Sequence, residues 1–483
     1  MAHLFSRGLP DRLHTPSDAL RPTPGNPWDL EHLWILRLRK QAASFSKDSP
    51  NYYAHDLEGL QSTARVHAFM TGPGVAIFEQ LQASIESAEK ELILITCFWA
   101  KSPSLELLAQ SLQRLSDKTQ KSGRPPVKVF IGFSSLSLLQ KLFQTSSLGG
   151  KLYSSTEWSS ELDLPTAARL PGLDITIKSV FVKPFSVMHP KFVIVDRKLA
   201  WLPSCNVSWE EWFEGAIVTS GPIVDHFVEL WKDFWLQGQA PWPEIETSTA
   251  PGFAFTTSIS LLATNSPNWD QGEDVEATFL PSPHHASALC LPFWPNTAYQ
   301  DPPPTPLNAF LQSQIQLAQK SIYIQTPNVT SFTVLHELMS ALQNGVNVSI
   351  TTSARLMILE QLVTAGTTTS RCVNWLTKQH KRLLALPQDP ESGTPVGRLQ
   401  IWYFKKREDQ ISGEPSQSHI KCTIFDDAIV VLGSQNMDRA SWFTSQELGV
   451  AFQSKKVVEM VKATLEKGME GRRSLVYDSG DKN

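Results

Sequence analysis

The sequence predicts an α/β protein made of two similar α/β/α sandwich halves in one chain, with an active site at their interface. Three observations carry that expectation. Apolar runs of strand length alternate with segments of helical period. The alternation occurs twice along the chain. One short polar pattern, His-x-Lys-x4-Asp, closes each occurrence. At 483 residues the chain is too long for one ordinary core, and two halves of roughly 170–200 residues each suit the usual size of a domain.

The first alternation opens near residue 75. Ile77, Leu81, Ile85 and Ala88 recur at helical intervals, and Glu91–Trp99 then supplies an apolar run fit for a buried strand. A helix is expected over 104–118 and a strand over 127–133. The same order returns at 307, with a helix to Lys320, the strand Ser321–Thr326, a helix over 333–343 and a strand entered at Gly345. Strands separated by helices imply parallel pairing with right-handed crossovers. The organisation expected is an N-terminal extension (1–66), a first half (67–240), a connection rich in Pro, Ser and Thr (241–306), a second half (307–470) and a C-terminal tail (471–483). His284 and His285 in the connection read as a solvated loop pair, because no Cys or carboxylate stands at ligand spacing.

Composition narrows the function classes. Hydrophobic residues make up 41% of the chain and there are 15 tryptophans, which argues for a packed globular protein. Lys+Arg total 43 against 47 Asp+Glu, a net charge of −4, which weighs against a protein that neutralises long nucleic acid tracts. Five scattered cysteines do not form a disulfide framework and favour a reducing compartment. No run of about 18 apolar residues occurs, so no transmembrane helix is expected. Arg7, Arg12 and Arg21 favour a mitochondrial presequence, while Asp11, Asp18 and the prolines at 10, 16, 22 and 24 argue against it.

The two motifs carry the chemistry. His189, Lys191 and Asp196 form the first, and His419, Lys421 and Asp426 the second. Ser204 and Asn206 follow the first motif as Ser434 and Asn436 follow the second. Glu214 lies 25 residues after His189, and Glu447 lies 28 after His419. In an extended segment residues i and i+2 share a face, so each His and Lys project together. Cleaving a phosphodiester needs a nucleophile, an acid for the leaving oxygen and positive charge for the equatorial oxygens. Two histidines and two lysines supply all of these, and no metal or cofactor is called for. A carboxylate downstream of each motif can bond the far ring nitrogen and fix its tautomer. Ser and Asn add neutral donors for phosphate oxygens.

At these residues the sequence resembles the phospholipase D superfamily, over about residues 70–465. Glu214–Pro222 leading into Phe227–Trp235, the run Gly433–Ser441 with Gln446-Glu447-Leu448, and Tyr323–Pro327 look like the cardiolipin synthase and bacterial phosphatidylserine synthase branch. The resemblance implies two phospholipase D-like domains and a two-step reaction through a phosphohistidine. His189 would be the nucleophile and His419 the general acid and later base. Lys191, Lys421, Ser204, Asn206, Ser434 and Asn436 would hold phosphate, and Glu214 and Glu447 would orient the histidines. Pro203 stands where the family usually places Gly, which puts the first-half turn in question. Asp196 and Asp426 are both present, unlike in the tyrosyl-DNA phosphodiesterase branch.

The expected substrate is a phospholipid, met by a monomer from the aqueous side, in the cytoplasm or peripherally on an intracellular membrane, with a mitochondrial address as the alternative. Trp201, Trp209, Trp212 and Phe213 suit a membrane interface, packing between the halves, or base stacking. A nuclease is the competing enzyme, disfavoured by overall charge and by Glu210-Glu211. A catalytically silent phosphate-binding scaffold is the competing class.

Overall fold

The computed structural model describes residues 33–40, 50–136, 149–180, 187–239, 242–243, 273–284, 301–386, 395–408 and 413–480. The stretch 1–32, His285 and most of the 241–306 segment lie outside these residues.

The strands of the first half are β1 (Gln61–Pro73), β2 (Glu91–Phe98), β3 (Val127–Ser135), β4 (Lys151–Tyr153), β5 (Leu173–Ser179), β6 (Phe192–Val195), β7 (Leu199–Pro203) and β8 (Trp212–Ser220). They lie side by side in the order β4-β5-β3-β2-β6-β7-β8-β1. Those of the second half are β9 (Val275–Ser282), β10 (Ser321–Gln325), β11 (Asn347–Thr352), β12 (Leu399–Phe404), β13 (Gln417–Ser418), β14 (Cys422–Phe425), β15 (Ile429–Gly433), β16 (Glu447–Gln453) and β17 (Arg473–Asp478). Their order is β17-β12-β11-β10-β14-β15-β16-β9, with β13 set apart. Position by position the two sheets match.

Each sheet is mixed, not wholly parallel as the helix–strand alternation suggests. β5, β3 and β2 are parallel, as are β12, β11 and β10, and these are the strands joined through helices. The motif strands β6 and β14 enter antiparallel and turn straight back as hairpins, which needs only a tight turn.

Elements of regular structure also lie outside the two halves as bounded from the sequence. The 241–306 connection contains β9, which pairs with β16 along its full length. It is the counterpart of β1, so the second half begins near 275. The 471–483 tail contains β17, which extends the sheet beyond β12. The N-terminal extension contributes helix α1 (Leu33–Arg39), whose buried Trp34 meets Phe310 edge-on at 5.7 Å. The first four residues of β1 pair with β9 and the rest with β8, with a bulge between Val66 and Ala68. One strand thus links both sheets.

The sheets are buried on both faces, which explains their unbroken apolar runs. In β2, Leu92 and Leu94 pack beneath helices α2 (Gly74–Ser87) and α3 (Pro103–Lys121). Ile93 and Ile95 point the other way, toward the aromatic face of α4 (Ile223–Trp235), where Phe227, Trp231 and Trp235 are fully buried. In the second half α5 (Pro306–Leu317), α6 (Phe332–Gln343), α8 (Thr369–Leu384) and α10 (Lys455–Met469) fill the corresponding places around the larger core. The short α7 (Ile358–Ala365) and α9 (Arg439–Phe443) lie in loops near the motifs.

Candidate active site

The motif histidines lie just before β6 and β14, and each is tied to the opposite half by its backbone. His189 N donates to Gln446 O at 3.0 Å, and Gln446 N donates to Val187 O at 2.9 Å. His419 N donates to Phe213 O at 2.8 Å, continuing the short pairing of β13 with β8. Gln446 and Phe213 immediately precede the two glutamates. This crossing of backbones decides which carboxylate meets which imidazole.

The pairing is exchanged between halves. His189 Nδ1 lies 2.8 Å from Glu447 Oε2, and His419 Nδ1 lies 2.8 Å from Glu214 Oε1. The expectation of a glutamate serving the histidine of its own motif is corrected. In both dyads the carboxylate fixes Nδ1 as the protonated nitrogen, leaving Nε2 as the reactive position.

Lys191 and Lys421 are buried, and each ammonium donates to the carbonyl of its own motif histidine at 2.8 Å. The lysines are close enough to repel. Burial lowers the Lys421 ammonium to about 7, with the charge of Lys191 adding to the effect. His419 is pressed down to about 3 by burial and by both lysines, against the pull of Glu214.

The two carboxyls differ. Burial pushes Glu214 up, but His419, Lys421 and Ser204 together outweigh it and hold the group at about 2. Glu447 is raised to about 7 by burial, which Ser434, Ser441, Lys191 and Lys421 only partly oppose. One dyad therefore holds a fixed anion and the other a carboxyl poised near neutrality.

The serines and aspartates are each engaged by neighbouring groups of the protein. Ser204 Oγ donates to Glu214 and accepts from Gly215 N at 2.9 Å. Ser434 Oγ donates to Glu447 and accepts from Leu448 N at 3.0 Å. These hydroxyls hold the glutamates. Asn206 Oδ1 accepts from Phe98 N at 3.3 Å, and Asn436 Nδ2 donates to Asp438 Oδ2 at 2.9 Å. Asp196 sits at the far end of β6, where its carboxylate accepts from the backbone N–H groups of Glu89, Lys90 and Glu91 at 2.8–2.9 Å. Asp426 accepts likewise from Gln319, Lys320 and Ser321 at 2.7–2.9 Å. Both aspartates have positive φ, as do Arg197 and Asp427 beside them, in the three-residue turns that join Val195 to Leu199 and Phe425 to Ile429. The motif aspartates are turn-forming residues that fasten β6 to the start of β2 and β14 to the start of β10.

Pro203 leaves the turn intact. Ser204 N donates to Gly215 O at 2.8 Å just as Ser434 N donates to Leu448 O at 2.8 Å, so the register around Glu214 matches that around Glu447. Sequence reasoning passed over Ser441, whose Oγ donates to Glu447 Oε1 at 2.7 Å. It is held by Asp438, the capping residue of α9, and the cap pattern Asp-Arg-Ala-Ser was its only trace in the sequence. Trp212 packs on the His419 ring at 4.6 Å. Trp201 and Phe213 are core residues, and Trp209 is 64% exposed. His284 is buried, with Nε2 3.2 Å from Ser282 Oγ, so it is no solvated loop residue. Among the described residues, no group of three or more His, Cys, Asp or Glu side chains is arranged to hold a metal. No described helix is long and apolar enough to cross a membrane.

Residues 311–469 match the family described as cardiolipin synthase, PLD-like domain. No curated protein matches the sequence. Among solved structures, the phosphatidylserine synthase of Haemophilus influenzae Rd KW20 is similar with a TM-score of 0.54 and 14% identity, over 90% of this chain and 91% of that one. Polyphosphate kinase from Porphyromonas gingivalis aligns at a TM-score of 0.43 and 11% identity, over 84% of this chain and 48% of that one. Nuc, a phospholipase D family member from Salmonella typhimurium, aligns at 0.24 and 19%, over 36% of this chain and 91% of that one. Residues 311–469 thus match a phospholipase D-like domain, and the sheet order and the His-x-Lys-x4-Asp motif of that half recur in the first.

Proposed function

We propose that the protein is a phospholipase D-type phosphodiesterase or phosphatidyltransferase that cleaves or exchanges the head group of a phospholipid through a covalent phosphohistidine. The observation that carries this reading is the exchanged pair of His–Glu dyads beside two buried lysines. The Nε2 of His189 attacks phosphorus, and the head-group alcohol leaves with a proton from His419. Water or a second alcohol, deprotonated by His419, then attacks phosphorus and frees His189. His189 is assigned as nucleophile because its side chain is 14% exposed against 4% for His419, so it is the ring that substrate reaches more readily. Lys191 and Lys421 hold the equatorial oxygens. A bound phosphodiester anion offsets the repulsion of the lysines and raises His419 toward the protonated form that the leaving alcohol needs.

The test is the mass of intact protein after rapid quench with a panel of phospholipids and with a short single-stranded DNA, beside His189→Ala. A phosphatidyl adduct on the wild type, absent from the variant, is expected. An adduct with DNA alone would move the assignment to a nuclease. No adduct and no product from either would favour a silent phosphate-binding scaffold.

A further inference from the structure

The loop after β11 presents an apolar helix to solvent next to the candidate active site. Met357, Ile358, Leu359 and Val363 of this segment are exposed, Leu359 to 80%. A soluble surface seldom groups four such side chains on one short element. The helix is nonetheless firmly seated. Its single buried residue, Gln361, accepts from Thr369 N at 2.6 Å and donates to Leu356 O at 2.5 Å. Arg439 donates to Thr364 O at 3.3 Å, and Arg439 follows Asp438, which holds both Asn436 and Ser441 at the Glu447 dyad. Three hydrogen bonds and the Asp438–Arg439 peptide link thus connect α7 to the Glu447 carboxylate. Trp209, three residues beyond Asn206, is 64% exposed in the β7–β8 loop, the first-half counterpart of the loop that carries Arg439.

Charge separates the candidate occupants of this surface. Between residues 355 and 386 the chain carries Arg355, Arg371, Lys378, Lys381 and Arg382 against the single acid Glu360. This is a local excess of four positive charges in a protein whose net charge is −4. Helix α8, which begins four residues after α7 ends, contains no acidic residue. A second copy of the same surface would bring these charges together, whereas an anionic bilayer attracts them while its acyl region accepts the apolar tip.

We propose that Met357, Ile358, Leu359 and Val363 form a membrane-docking tip that, with the basic face of α8, seats the active site on an anionic lipid surface. The inference rests on the phospholipid reading above. It is tested by co-sedimentation of the full chain with phosphatidylcholine vesicles, with and without phosphatidylglycerol, at low and high salt. Wild type should bind the anionic vesicles, and Leu359→Asp/Val363→Asp should bind them at least tenfold more weakly with an unchanged melting temperature. Lys378→Glu/Lys381→Glu should lose the preference for anionic vesicles. Equal binding by wild type and the Asp variant, or no binding by wild type, would overturn the proposal. So would a dimer that the Asp variant dissolves while vesicle binding persists. The two readings can fail separately. An adduct formed from detergent-dispersed lipid without vesicle binding would sink the docking tip alone, whereas tip-dependent binding without any adduct would support the tip and sink the catalytic assignment.

Discussion

The two halves share one skeleton and differ in how they treat a proton. Both place a His, a Lys and a Glu at equivalent points of equivalent sheets. Glu214, with one serine and a buried imidazole as partners, is held at about 2. Glu447 accepts from Ser434 and Ser441 as well as facing His189, yet rests at about 7. Burial raises both carboxyls, and the imbalance lies in the neighbouring charge each receives. A duplicated site can thus give its copies unequal acid–base roles without changing a catalytic residue type.

Glutamine at each carboxylate is the sharpest way to break this comparison. Glu214→Gln should lower kcat by about 10³–10⁴-fold at neutral pH, because an obligatory anion behind a buried imidazole is lost. Glu447→Gln should cost less, about 10–100-fold at pH 7, because roughly half of that group is already neutral there. Equal losses would refute the asymmetry. The pH profile of kcat/KM adds the sign. Activity of the wild type should rise as Glu447 ionises through about 7, and fall above it as Lys421 loses its proton. Glu447→Gln should flatten the acid limb only. Stability should follow opposite senses in the two halves. The depressed Glu214 contributes stability above about pH 4, lost as pH falls toward 2, whereas the raised Glu447 loses its contribution as pH rises through 7.

Asp196→Ala and Asp426→Ala should each destabilise the fold by about 2–4 kcal/mol in urea titrations, since each strands three backbone N–H groups. The folded fraction should keep its kcat within about threefold. A loss of turnover as deep as that of His189→Ala would restore the aspartates to the chemistry. The smallest effect is expected at Pro203, which stands where the second half has Gly433. Pro203→Gly should cost under about 1 kcal/mol, mainly through a freer unfolded chain, and leave kcat unchanged. Gly433→Ala should be the costlier substitution, because a Cβ there would stand 2.1 Å from the Leu448 carbonyl oxygen.

The motifs made the fold class and most of the site legible, because His, Lys and Glu recur at fixed stages of a repeated pattern. What they could not show is which Glu meets which His. Distances of 25 and 28 residues suit a partner in the same half, and only the backbone bonds of His189 to Gln446 and His419 to Phe213 impose the exchange. The bonds of Ser204 and Ser434 to the glutamates were hidden for a related reason, since it is the neighbouring strand that brings each carboxylate against its hydroxyl. Strand β9 was hidden because its residues include Pro281 and Ser282 within a Pro- and Ser-rich stretch, and its pairing is with β16, more than 160 residues away.

The reciprocal gift of a glutamate from each half has a consequence for inheritance and for engineering. Neither half alone contains one complete dyad, so a protein cut in the 241–306 segment should regain function only if both pieces reassemble. For the same reason, a lesion at Glu214 is felt first at the histidine of the other half. Two copies of the chain, one damaged at Glu214 and one at Glu447, could complement each other only by exchanging whole halves. The covalent tether between the halves keeps the partners at a high effective concentration, and makes one polypeptide behave as a permanent, self-matched pair.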